Sequence, residues 1–132
     1  MEPRSKIDSF ELSQAIHRIQ TQLRWKPGSA EWHLKQRIRR GHLPVTATLS
    51  EYEALIQTVV HGPTALVYIF WHKDDPYISI VDDIADKHWL VMFALSGVLE
   101  SAYIVERPHL YLNKSDFEYV DLLAKVMSHD DE

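Results

Sequence analysis

The chain has 132 residues, 45% of them hydrophobic and 25% charged, enough apolar material for one core and no bias toward a disordered or collagen-like polymer. Fourteen Lys and Arg against nineteen Asp and Glu leave a net charge of −5, and the absence of cysteine excludes disulfide frameworks, thiol nucleophiles and thiolate zinc sites. The charge is uneven, because residues 1–44 carry nine basic and four acidic side chains whereas residues 45–132 carry five and fifteen.

Met1 to Asp8 holds Arg4 and Lys6 with no apolar run behind them, unlike a signal peptide. Asp8 with Glu11 three residues on is a capping-box signal, and Phe10, Leu12, Ala15, Ile16, Ile19 and Leu23 recur at helical spacing, which predicts a helix over 9–24. Lys26-Pro27-Gly28-Ser29 breaks it. A short, very basic helix is predicted over 30–40, stopped by Gly41 and Pro44. Ser50 with Glu53 repeats the capping signal, and Tyr52, Leu55, Ile56, Val59 and Val60 predict a third helix over 50–61, closed by Gly62-Pro63.

The pattern then turns to strands at Ala65–His72, Tyr77–Asp82, His88–Leu95 and Leu99–Glu106, with connectors too short for crossover helices. An antiparallel meander is the expected result. In its third strand Trp89, Val91 and Phe93 alternate with Leu90, Met92 and Ala94, so both faces should be covered, one of them by the N-terminal helices. A final helix is predicted over 116–127, capped by Ser115 with Glu118 and apolar along Phe117, Val120, Leu123, Ala124 and Met127; it is the candidate cover for the other face. The fold class is therefore α+β: N-terminal helices, a four-stranded antiparallel meander and a C-terminal helix in one domain over 1–132, with 1–8 and 128–132 as flexible tails. The two strongest apolar runs, Ala65–Trp71 and Trp89–Leu95, are seven residues each, too short to span a bilayer, so a cytoplasmic protein without a membrane partner is expected.

Chemistry concentrates in residues 31–44, which hold Lys35, Arg37, Arg39 and Arg40 with His33 and His42 against one acid, Glu31. Trp32, Lys35 and Arg39 fall on one helical stripe beside a buried stripe of Leu34 and Ile38, an arrangement that offers an indole for base stacking and cations for phosphate. His42, just beyond the helix, could transfer protons near neutral pH. The plainer reading is a solvated basic helix paired with acids of the second half. Ser101 and Tyr103 share a face of the fourth strand; with His and Arg they suffice for metal-free phosphodiester cleavage, although strand hydroxyls are often only sheet-surface residues. His72 ends the first strand beside Lys73 and could reach a sheet-face site.

Asp74, Asp75, Asp82, Asp83, Asp86 and His88 could offer oxygens to a hard divalent ion, but they match neither an EF-hand loop nor a zinc pattern, and no metal ligands are assigned. No glycine-rich phosphate loop, HExxH spacing or G-x-S-x-G elbow occurs, and no cofactor is expected.

Leu34-Lys35-Gln36-Arg37-Ile38 leading to Arg40-Gly41-His42, and Trp89-Leu90-Val91 followed by Gly97 and Glu100-Ser101-Ala102-Tyr103, carry a resemblance. Together with the order of elements, most of residues 30–112 resembles the phage-associated nuclease-like domains of the barnase, EndoU, colicin and RelE superfamily. The resemblance implies an RNase site on the sheet, fed by a helical-region His and a last-strand hydroxyl, which match His42 and Ser101; relatives often carry Thr at the latter position. The functional expectation is a small metal-independent endoribonuclease of a phage or toxin–antitoxin setting. Lys35, Arg39 and Arg40 would hold phosphate, Trp32 and His72 would flank the RNA, His42 would move protons, and Ser101 and Tyr103 would orient the phosphate or 2′-hydroxyl. The alternative is a non-catalytic interaction or immunity-type protein, paired with a toxin or antitoxin, whose acidic part meets a basic partner and whose Trp71, Tyr77 or Tyr103 anchors the contact.

Overall fold

Three helices precede the sheet in the computed structural model, which describes residues 7–128. Helix α1 is Ser9–Thr21, its first turn closed by the Asp8 carboxylate accepting the Glu11 N–H at 2.8 Å. Leu12, Ala15, Ile16 and Ile19 are its buried face. It stops three residues short of the expected 24, because Arg24–Trp25 instead forms β1, a two-residue strand parallel to Val98–Leu99. Helix α2 is Ala30–Arg39 and α3 is Leu49–Val60. The capping box of α3 lies two residues ahead of the predicted one: Thr48 Oγ1 accepts the Glu51 N–H at 3.2 Å and Glu51 accepts the Thr48 N–H at 2.9 Å, which leaves Ser50 inside the first turn. Ile7 packs on the core, and the remainder of the expected tails, residues 1–6 and 129–132, lies outside the described residues.

The predicted meander is present as β2 Leu66–His72, β3 Asp75–Ile84, β4 Lys87–Ala94 and β5 Val98–Ile104, each antiparallel to the next. It is the centre of a larger mixed sheet of order β1-β5-β4-β3-β2-β6. A bulge between β4 and β5 pairs Met92 with Ser101 and Phe93 with Leu99, leaving Glu100 as the extra residue. From Ser101 onward the expected alternation holds, with Ala102 and Ile104 on the helix side and Tyr103 and Val105 on the other.

The C-terminal segment departs from expectation. After a single-turn helix α4, Pro108–Tyr111, which no sequence signal announced, residues Phe117–Leu122 form strand β6 antiparallel to β2, and only Leu123–Ser128 is helical, as α5. The run Phe-Glu-Tyr-Val-Asp-Leu is rich in β-formers, and pairing it with β2 satisfies a row of backbone groups that a helix would leave on an open sheet edge. Phe117 then packs on one side of the sheet while Leu123 and Val126 pack on the other.

Both faces of β4 are covered, as its double alternation predicts. Trp89, Val91 and Phe93 lie with α1, α2, α3 and α5, whereas Leu90 and Met92 lie with Val81, Val105 and Phe117 under Tyr68, Tyr103, Tyr111 and Leu112. The second cover is thus the segment around α4, and the C-terminal helix joins the N-terminal helices. The Ser101 and Tyr103 face of β5 is left with an open cleft between α2 and the α4 segment. Among the described residues no helix is long and apolar enough to cross a membrane.

Candidate functional site

The cleft follows from how α2 ends. Gly41 adopts a left-handed φ of 75°, its N–H bonds to Ile38 O at 3.0 Å, and the His42 N–H reaches Arg37 O at 2.8 Å. This is the Schellman arrangement, in which the chain folds back over its own last turn. The imidazole of His42 is thereby set against the guanidinium of Arg37, whose Nη1 donates to His42 Nδ1 at 3.1 Å. The backbone N–H of Ile104 at the end of β5 donates to the same nitrogen at 3.3 Å, and the ring stands edge-on to Trp89 with centroids 6.2 Å apart.

Two N–H donors on one nitrogen fix the tautomer. Nδ1 is an acceptor, so the proton of the neutral ring sits on Nε2. Burial, and then the charges of Arg37 and Arg40, push the His42 pKa below the ordinary imidazole value, with Glu106 opposing them. The ring is therefore uncharged at pH 7.

Arg37 is only 8% exposed, with its guanidinium carbon 5.7 Å from the centre of the Tyr103 ring and its Nε buried without a hydrogen-bond partner. Among the described residues no carboxylate forms an ion pair with it. Burial works against its charge and Arg40 adds to that, while Tyr52 and Tyr103 offset part of it. Tyr103 in turn shares a 2.6 Å hydroxyl contact with Tyr111, and burial followed by that bond raises its pKa, so it remains a phenol. Lys114 Nζ lies 4.8 Å from the Tyr111 ring centre.

Together these groups line a cleft of about 730 Å³, with Arg37, Arg40 and His42 from the end of α2, Ser101 and Tyr103 from β5, and Glu106, Arg107, Tyr111 and Lys114 from the segment that follows β5. Four cations face one carboxylate. A smaller hollow of about 320 Å³ shares Arg40, His42 and residues 104–106 and extends the groove to Asp86, Lys87 and His88 at the β3–β4 hairpin. His42 and Glu106 stand where the two meet.

Of the residues singled out in the sequence, His42, Ser101, Tyr103 and Arg40 converge here. Trp32, Lys35, Arg39 and His72 do not line the cleft. Trp32 is 57% exposed and edge-on to His33, and Lys35 and Arg39 are exposed on the same helix, because that stripe is turned about the axis from Arg37 and Arg40. His72 sits at the opposite end of the sheet, beside Phe70. Arg37, Glu106, Arg107, Tyr111 and Lys114 line the cleft without being among the site residues expected from the sequence. Arg37 had a signal, being three residues from Leu34 on a stripe that buries.

Of the three aromatic residues expected as anchors, Trp71 is overturned by its burial, whereas Tyr77 and Tyr103 are partly exposed. Trp71 is 3% exposed with its indole N–H on Glu118 Oε1 at 3.0 Å, Tyr77 packs on the second core cluster, and Tyr103 is half-buried in the cleft. In the hairpin, Asp83 pairs with His88 and Asp82 accepts from Thr64 Oγ1 at 3.0 Å. Among the described residues no three His, Asp or Glu side chains are grouped as metal ligands. No protein-family model matches the chain, and neither a curated protein nor a solved structure matches it.

Proposed function

We propose that the cleft holds a phosphodiester of single-stranded RNA and that the chain is a small metal-independent endoribonuclease-type domain. The observation that carries this reading is Arg37, a guanidinium buried at the cleft wall with an unpaired Nε and no carboxylate beside it among the described residues. A buried charge left without a counter-ion costs several kcal/mol, on the order of 3–5 where a partner has been removed. An anionic ligand supplies the missing partner, and the planar guanidinium fork fits phosphate oxygens. Arg40, Arg107 and Lys114 repeat the sign around the same space. The groove continues past His42 to Lys87, room for a chain and more than one ion needs. The resemblance of residues 30–112 to the barnase, EndoU, colicin and RelE nuclease-like domains points the same way.

Cleavage by transphosphorylation needs a base, an acid and cations around phosphorus. Glu106 is the carboxylate of the cleft and takes the 2′-hydroxyl proton. The 2′-oxygen then attacks phosphorus and the bond to the 5′-oxygen breaks, leaving a 2′,3′-cyclic phosphate. The 5′-oxygen departs with a proton from His42, and Arg37 and Arg40 hold the charge on the non-bridging oxygens. Ser101 orients the phosphate, and the Tyr103 hydroxyl remains a protonated donor. For His42 to act as the acid its ring has to gain a second proton after the RNA enters.

The test is incubation of the purified protein with single-stranded RNA in EDTA. Cleavage to cyclic-phosphate ends is expected, falling by about 10²–10⁴-fold in Glu106→Gln and in His42→Ala. Absence of cleavage by the unaltered protein, or cleavage untouched by both substitutions, contradicts the reading.

A further inference from the structure

The bond between Arg37 and His42 joins two groups that the proposed chemistry needs apart. Arg37 Nη1 donates to His42 Nδ1, and that nitrogen cannot carry a proton while the guanidinium and the Ile104 N–H both point at it. The same guanidinium is the most buried cation of the cleft, with its Nε unpaired, and so is the group with most to gain from an anion. A phosphate that enters competes with His42 for Arg37.

We infer that anion binding in this cleft is coupled to protonation of His42: the phosphate draws the Arg37 guanidinium off Nδ1, and the ring turns away from the Ile104 amide and takes one proton from solvent. Arg37 acts as a positioning residue, holding His42 neutral in the free protein and releasing it on binding. The inference rests on the cleft being an anion site, as proposed above. The Ile104 bond is the longer of the two at 3.3 Å, and a half-turn of the ring puts a carbon where Nδ1 stood.

The charged groups around the ring agree in sign with this exchange. From α2, Arg37 and Arg40 oppose its protonation, and a bound phosphate neutralises both. Beyond β5, Glu106 favours it. The hairpin contributes Asp86, Lys87 and His88 to the hollow that His42 also lines, one acid, one base and a histidine already paired with Asp83. From β4 the neighbour is the uncharged edge of Trp89. Arg107 and Lys114 also line the cleft, and a bound phosphate offsets them together with the two arginines, which leaves Glu106 favouring the charged ring.

The experiment uses an RNA octamer with 2′-O-methyl riboses, which cannot be cleaved through a 2′-hydroxyl. It is titrated calorimetrically into the full chain at about pH 6.5, in two buffers of different ionisation heat. Binding should take up a fraction of a proton per complex, about half a proton for a one-unit rise centred on the working pH, and the uptake should vanish in His42→Gln, which keeps an acceptor for Arg37. Ring-proton NMR of the unaltered protein gives the same answer without a variant: the His42 titration midpoint should rise by roughly one pH unit or more when the octamer is bound. Binding with no buffer dependence, uptake that persists in His42→Gln, or an unmoved midpoint overturns the coupling and leaves the cleft as an anion site. Failure of the octamer to bind overturns the cleft reading, and the coupling with it.

Discussion

Arg37 and His42 are joined twice, once through the backbone, where the His42 N–H meets Arg37 O at 2.8 Å, and once through the side chains, where Nη1 meets Nδ1 at 3.1 Å. The first bond belongs to the helix end and the second to the cleft. The local rule that stops α2 at Gly41 therefore also sets the histidine of the site.

Gly41 tests that linkage. A Cβ placed there meets nothing within 4 Å, so Gly41→Ala brings only the left-handed backbone penalty, about 1 kcal/mol, read as a lower urea midpoint at constant slope. If the turn relaxes to avoid that strain, His42 leaves Arg37 and cleavage falls by more than the small stability loss explains. Unchanged stability and activity would show that the helix end does not position the ring.

Arg37→Met separates a site residue from a structural one. Replacing a buried guanidinium that has no ion-pair partner by an apolar side chain of similar length relieves its desolvation cost, so stability should be unchanged or rise by about 1–4 kcal/mol. Octamer affinity should drop at least about tenfold. A loss of several kcal/mol with affinity intact would make Arg37 a core residue instead.

Much of this framework was legible in the sequence, and the reasons are local. Asp8 and Gly41 carry their own capping chemistry, and the double alternation of β4 announces two covered faces before any partner is known. β6 was misread because Phe117, Val120 and Leu123 also fit a helical stripe, and only the unpaired edge of β2 decides between the two. The site was half legible for a similar reason. His42, Ser101 and Tyr103 stand out by chemistry, whereas Tyr111 and Lys114 reach the cleft through a one-turn helix that has no periodicity of its own. Lys35 and Arg39 misled because a charge run shows which residues are basic and not which way the helix is turned.

Tyr52 ties α3 to β5 at the cleft, its buried hydroxyl donating to Ala102 O at 2.5 Å between Ser101 and Tyr103. Tyr52→Phe should cost about 1–2 kcal/mol, since the carbonyl loses a buried donor, and Tyr52→Ala about 3–5. Chemical denaturation checks both. A neutral Tyr52→Phe would mean that water replaces the hydroxyl.

Stability should fall as the solution is made more acidic through the histidine range. His42 and His33 both have folded-state pKa values below the ordinary one, burial being the first cause in each. The unfolded chain then binds protons more readily, and stability rises with pH until the unfolded-state histidine value, about 6.5, is passed. His42→Gln should flatten part of that slope between roughly pH 5 and 7, as followed by melting temperature. A slope identical in the variant would remove His42 from the set of suppressed histidines.

The most direct test of the central claim is where RNA touches the molecule. Amide and side-chain NMR shifts of the isotope-labelled chain, titrated with the 2′-O-methyl octamer, should move at Arg37 to His42 and at Ser101 to Lys114, with the Arg37 Nε–H among the largest changes. Shifts confined to Trp32, Lys35 and Arg39 on the outer face of α2, or no shifts at all, would contradict the account.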